Sequence, residues 1–242
     1  MMFKKMAIAG AVATVALTTL PTVAMANEIT GNISVLSSYN LRGITNTPEN
    51  ESATLQGGLD YSHDSGFYAG WWTSTLGEAY APYSNSLENN FYAGYSASVN
   101  DNLGYTAGLT YYYYYDIETS DANGLELLLG LDYKGIGFTT QTLLEDTLWG
   151  NAGDTYLKAA YSYALPQDFS LDTALGLYFY KESGDFIKES KESFGFRHFD
   201  IGLSKPIGET GASASMTYTI GGYDRMEVKQ KNKVAFGLSY SF

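Results

Sequence analysis

The 242-residue sequence predicts an all-β fold. It reads as a single antiparallel up-and-down transmembrane β-barrel of about twelve strands behind a cleavable signal peptide. Three observations lead there. Segments alternating apolar and polar residues recur along nearly the whole chain, the mark of strands with one greasy and one wet face. The connections between them alternate short and long without exception. Both chain ends carry export features, a leader at one and an aromatic strand at the other.

At the N-terminus, Lys4 and Lys5 precede an apolar run from Met6 to Leu20, and Ala24-Met25-Ala26 follows. A charged region, an apolar region and small residues in that order predict a signal peptide, residues 1–26, cut after Ala26. Thr14, Thr18, Thr19 and Pro21 break the run, so a membrane anchor is the weaker reading. Residues 27–242 remain as the barrel domain, with no linker or domain boundary. No later stretch is apolar for long enough to be a membrane helix.

The predicted strands run in order along this domain. The first is Gly31 to Arg42, the second Ala53 to Ser62, the third Gly66 to Leu76 and the fourth Asn89 to Val99. Next come Leu103 to Asp116, Gly124 to Tyr133, Ile136 to Thr147 and Asp154 to Ala164. The last four are Phe169 to Lys181, Phe196 to Lys205, Gly211 to Ile220 and Lys233 to Phe242. Short connections such as His63-Asp64-Ser65 and Lys134-Gly135 alternate with long ones such as Gly43 to Ser52 and Glu182 to Gly195. Transmembrane barrels have short periplasmic turns and longer external loops, which puts both termini in the periplasm. In the last strand Val234, Phe236, Leu238, Tyr240 and Phe242 share one face. Tyr240 and the terminal Phe242 read as the membrane-assembly signal recognised by barrel-assembly machinery.

Strand parity sorts the charges. Asp60, Glu126, Asp132, Glu145, Lys158, Asp172, His198 and Asp200 fall on the polar face, and Arg42 ends the first strand. A charge on the lipid face near midplane costs roughly 2–4 kcal/mol, so these nine residues are expected to line the bore. The segment Phe67 to Trp72 is aromatic on both faces; matching Gly70 to the inward glycines turns Phe67, Ala69 and Trp71 to lipid, and Tyr68 and Trp72 to the lumen. The run Tyr111 to Tyr115 reads as an interfacial aromatic belt, with a sugar-stacking surface as the alternative.

Composition bounds the function. With 22 Tyr, 12 Phe, 26 Gly and 17% charged residues, the chain suits strands with aromatic girdles. It has no cysteine, so no disulfides. Without Lys4 and Lys5, 12 bases face 26 acids for a net charge of −14. That excludes nucleic acid, which needs a basic face, and favours cations as company. Outer-membrane lipid and lipopolysaccharide are the other expected partners; Glu49, Glu51, Glu78 and Glu88 read as solvated loop charge, with loose Ca²⁺ binding the alternative.

The stretch Ser37-Ser38-Tyr39-Asn40-Leu41-Arg42-Gly43-Ile44-Thr45, with Leu55-Gln56-Gly57-Gly58-Leu59-Asp60-Tyr61-Ser62-His63-Asp64-Ser65-Gly66-Phe67-Tyr68-Ala69-Gly70, resembles the opening of the TorF family porins, proteobacterial outer-membrane proteins formerly grouped as conserved hypotheticals. Ser38, Leu41 and Thr45 depart from that family's pattern where it has an acid, an aromatic and a serine. The resemblance covers the first third of the domain and implies a barrel and a transport role, with no catalytic residues.

Enzyme chemistry has a poor inventory of two histidines and no cysteine. His63 shares a turn with Asp64 and Ser65, neighbours that rarely meet as a catalytic set. His198 has lumen parity, unlike a lipase histidine at the lipid face, and with Asp200 makes only two candidate metal ligands. No phosphate-cradling loop precedes a helix, and no cofactor is expected. The expected function is a passive outer-membrane channel for small hydrophilic solutes or cations. The alternative is a non-conducting barrel acting through external loops, Glu182 to Gly195 above all; a lipid-acting enzyme stands third.

Overall fold

The computed structural model describes residues 27–45, 52–76, 86–117 and 119–242. Twelve antiparallel strands form one closed barrel in which every strand pairs with its sequence neighbours and β1 closes on β12. They are β1 (Glu28–Leu36), β2 (Thr54–Ser62), β3 (Phe67–Thr75), β4 (Leu87–Asn100), β5 (Leu103–Tyr115) and β6 (Gly124–Tyr133). The second half comprises β7 (Ile136–Leu143), β8 (Thr155–Ala164), β9 (Ser170–Phe179), β10 (Phe194–Pro206), β11 (Ala212–Gly221) and β12 (Lys233–Ser241). Closure leaves no unpaired sheet edge, which is what lets a sheet sit in hydrocarbon. At the seam Phe242 exchanges backbone hydrogen bonds of 2.8 and 3.0 Å with Gly31. The predicted signal peptide, Glu49, Glu51 and Glu78 lie outside the described residues.

The outer face has the layering of a membrane wall. Exposed Val35, Leu59, Leu109, Leu129, Ile201 and Leu238 form an aliphatic waist. Exposed Phe67, Tyr95, Tyr105, Tyr133 and Tyr163 ring the short-turn end, and exposed Phe91, Tyr111, Tyr113, Phe179 and Phe194 ring the long-loop end. Amphipathic rings gather at such levels because one edge meets lipid and the other water. Within β5 the tyrosine run splits by strand parity: Tyr111, Tyr113 and Tyr115 are exposed, whereas Tyr112 and Tyr114 are buried inside.

Three elements differ from expectation. The first strand stops at Leu36, so Arg42 is not a strand residue; it sits in a single 3-10 turn, Leu41–Gly43, with left-handed φ 48° and ψ 38°. The seventh strand stops at Leu143, so Glu145 lies past its end and is exposed rather than facing the bore. Glu88 belongs to β4, not to the loop before it, and is 1% exposed. At Arg42 and Glu145 alternation runs past the last cross-strand bond, whereas at Glu88 pairing begins before the predicted start; parity alone cannot show where pairing begins or ends.

Candidate functional site: the barrel interior

The interior divides at mid-height. In the half nearest the long loops, the inward side chains Gln56, Trp72, Glu88, Tyr112, Glu126 and Tyr156 are all buried. In the half nearest the short turns, Asp60, Tyr68, Asp132, Lys158 and Asp172 are partly open. The bore is therefore filled at one end and wetted at the other.

The filling comes from the segment after β1. Instead of running outward, residues 37–45 fold back across the barrel. Arg42 reaches β6 and makes a bidentate pair with Glu126, at 2.8 and 2.6 Å. Its guanidinium also donates to the hydroxyls of Tyr112 at 3.1 Å and Tyr178 at 3.4 Å, and lies 5.1 Å over the ring of Tyr156. Tyr112 donates in turn to Glu126 at 2.7 Å. A buried charge is tolerable when paired and hydrogen-bonded on every side, and here both charges are. The backbone is held as well. Arg197 Nε donates to the Arg42 carbonyl at 3.1 Å, and Thr45 bonds to the Gln230 side chain at 3.1 Å and the Lys231 carbonyl at 2.6 Å. Gly43, at φ +71°, rests on His198, and a Cβ there would lie 2.7 Å from the imidazole Cγ. Beside it Tyr39 packs on Trp72 with ring centres 6.2 Å apart and donates to Glu88 at 2.9 Å. Tyr39, Trp72, Leu76, Tyr112, Tyr114 and Ala122 make a small apolar core inside the mouth.

A bulge in β10 adds to this floor. Pairing with β9 shifts between Phe196 and His198, so Arg197 and His198 both turn inward and are 3% exposed. The Tyr156 hydroxyl lies 2.7 Å from His198 Nε2. Asp200 Oδ2 lies 3.1 Å from His198 Nδ1, an ion-pair distance, but off the line a ring N–H needs; Nδ1 and Asp200 Oδ1 have no hydrogen-bond partner among the described residues.

In the wetted half the carboxylates hold hydroxyl or backbone partners instead of bases. Asp172 accepts from Ser162 at 2.5 Å, Ser170 at 3.1 Å and Ser204 at 2.7 Å. Asp132 accepts from the Gly135 amide at 3.3 Å, and Asp60 accepts from the Tyr92 hydroxyl. Lys158 sits on the inner wall of β8, opposite Thr139. Of the nine residues expected in the bore, Arg42, Glu126, His198 and Asp200 form or border the plug. Asp60, Asp132, Lys158 and Asp172 lie on inner strand faces below it, and Glu145 stands apart. Tyr240 and Phe242 are exposed on the outer face of the seam.

Strand parity sets Tyr178 on the same inner face as Asp172, but it did not single out Arg197, Tyr156 or the loop pair of Asp154 with Arg225. Phe196-Arg197-His198-Phe199-Asp200 does carry a signal, because two consecutive polar residues inside an alternating strand mark an inserted residue.

Outside the barrel, Asp146 ties two long loops together. Its carboxylate accepts from the Ala152 amide at 2.7 Å and the Asp185 amide at 2.9 Å, and these hold its pKa below the ordinary 3.8. His63 stays within its turn, 2.9 Å from the Ser65 hydroxyl. No three metal-binding side chains cluster among the described residues.

The family model described as "Bacterial protein of unknown function (Gcw_chp)" matches residues 22–241. The chain belongs to the Gcw_chp family. No curated protein matches it by sequence. Among solved structures, this Gcw_chp barrel is similar to a KdgM porin at TM-score 0.54 and 10% identity, over 88% of this chain and 99% of that one. It is similar to the NanC porin at TM-score 0.51 and 10% identity, over 89% and 99%. At such identities the likeness is one of fold: the closed barrel of outer-membrane porins. Outer membrane phospholipase A from Escherichia coli overlaps less closely, at TM-score 0.45 and 13% identity over 89% and 96%, and has no bearing on function.

Proposed function

We propose that the chain is an outer-membrane channel for passive diffusion of small hydrophilic solutes or cations, narrowed by its own first long loop, and that it is a TorF-type porin without enzymatic activity. The observation that carries this is a polar inner wall, wetted from the short-turn side, inside a wall that is apolar outside. A barrel needs its closed backbone to span lipid, but does not need Asp60, Asp132 and Asp172 on its inner face. Short turns on the periplasmic side make the wetted half a vestibule open to the periplasm and put the Arg42 plug toward the exterior. Signal-peptide export fits this orientation.

The filled mouth supports a second reading, a non-conducting barrel that works through its external loops. Planar-bilayer recording separates the two. The channel reading expects a small conductance that rises several-fold in Arg42→Ala, because the loop loses its anchor on Glu126. If both proteins insert and neither conducts, the channel reading fails and the second stands. Hydrolysis of phospholipid by the purified barrel would overturn the non-enzymatic assignment.

A further inference from the structure

We propose that the short-turn half of the lumen is a recognition chamber for a small organic cation, an alkylammonium or polyamine compound. This goes beyond the channel reading and needs only its premise of a wetted bore.

The charge balance comes first. Asp60, Asp132 and Asp172 sit on inner faces of β2, β6 and β9, and Asp200 of β10 stands at the chamber's upper edge beneath the plug, 3.1 Å from His198. The first three are partnered by hydroxyls or an amide, which orient a carboxylate without neutralising it. The nearby guanidiniums are engaged elsewhere. Arg42 is bound to Glu126, and Arg197 donates to the backbone carbonyls of Arg42 and Tyr223 at 3.1 and 2.9 Å. Lys158 is the one base on the inner strand faces of this half among the described residues. A narrow bore with low-dielectric walls concentrates the resulting negative field.

The second observation is a set of buried polar atoms with no hydrogen-bond partner among the described residues. Asp200 is 8% exposed and its Oδ1 accepts no hydrogen bond; the Oγ1 atoms of Thr219, its cross-strand partner, and of Thr139 are likewise unpaired. Buried acceptors are ordinarily satisfied, so these suit a guest that brings donors.

The third concerns shape. Glycines let two tyrosines lie along the wall instead of across the bore. Tyr92 crosses Gly70 to reach Asp60, and a Cβ at Gly70 would stand 2.5 Å from its ring. Tyr68 crosses Gly94 to Gly108, where its hydroxyl fills the space a Cβ would take. Rings laid along a wall beside carboxylates suit an ammonium group, which is drawn to both. A chelated metal ion fits worse, since no three carboxylate or histidine ligands converge among the described residues.

Spermidine is the probe, titrated into the folded barrel in detergent and read by calorimetry, so that no current is needed. The double variant Asp132→Asn with Asp172→Asn should weaken binding about tenfold or more, and Tyr68→Leu about threefold. Glu189→Gln with Glu192→Gln, on the external loop, should change nothing. If the loop variant weakens binding as much as the lumen variant, or the lumen variant binds as wild type does, the chamber does not exist. In bilayers, spermidine on the short-turn side should block current in wild type and not in the double aspartate variant. A barrel that binds spermidine but passes no current would defeat the channel reading and leave this one standing.

Discussion

Two charged side chains show how context sets what a residue does here. Arg42 looks like a strand terminus in the sequence, yet its left-handed backbone turns it back into the bore to meet Glu126. Asp146 has the opposite situation. It is solvent-facing, and two backbone amides from separate loops converge on it. Amides that favour the charged form lower its pKa, so loop tethering is fully present above the unfolded value of 3.8 and fades as pH falls through the lower folded value. The protection factors of the Ala152 and Asp185 amides, taken relative to the intrinsic rate at each pH, should therefore be high at pH 6 and fall only below pH 3.8. Asp146→Asn should show low protection at both. Equal protection of wild type and variant at pH 6 would mean that Asp146 is not the tether.

At the level of the element, the recurring device is a glycine flanked by a large side chain that crosses it. Tyr92 over Gly70, Tyr68 over Gly94 and His198 over Gly176 each span one strand to meet a partner two strands away. The glycine is needed for close approach, not for an unusual φ. Gly70→Val should push Tyr92 off Asp60 at an overpacking cost of about 1–3 kcal/mol, lowering the temperature at which the barrel loses its fast gel migration. Gly137→Val, where a Cβ would have no neighbour within 4 Å, is the control and should migrate as wild type does. The β10 bulge is the other element-scale feature, and it brings Arg197 and His198 together beneath the plug.

For the whole molecule, closure and asymmetry are the governing properties. The seam rests on β1 and β12, and Phe242 both bonds to Gly31 and covers it with its ring, 2.5 Å from where a Cβ would stand. Removing Phe242 deletes two seam hydrogen bonds, worth about 1–2 kcal/mol together, as well as the terminal aromatic. The expected result is a several-fold drop in heat-modifiable barrel in the outer membrane. Phe242→Tyr should restore most of it, and a deletion variant that assembles as wild type does would contradict the assignment. In the proposed channel, the asymmetry between a filled long-loop half and a wetted short-turn half makes conduction depend on the anchor at Arg42.

Strand number, hairpin order, lipid face and inward charges on β2, β6, β8, β9 and β10 were all legible in the sequence. Each follows from alternation with period two, a local property that the chain carries wherever it folds. Tyr68 and Trp72 could be turned inward by the same rule, even in a segment aromatic on both faces. Which inward groups meet was decided only by the tertiary structure. Arg42 and Glu126 stand 84 residues apart and come together because a loop re-enters the barrel, and no periodicity records the path of a loop. Glu88 and Glu145 show the same limit, since the end of a strand is set by the last bond to its neighbour and not by its own residues. The division of the bore into a closed half and an open half is likewise a property of packing between distant segments.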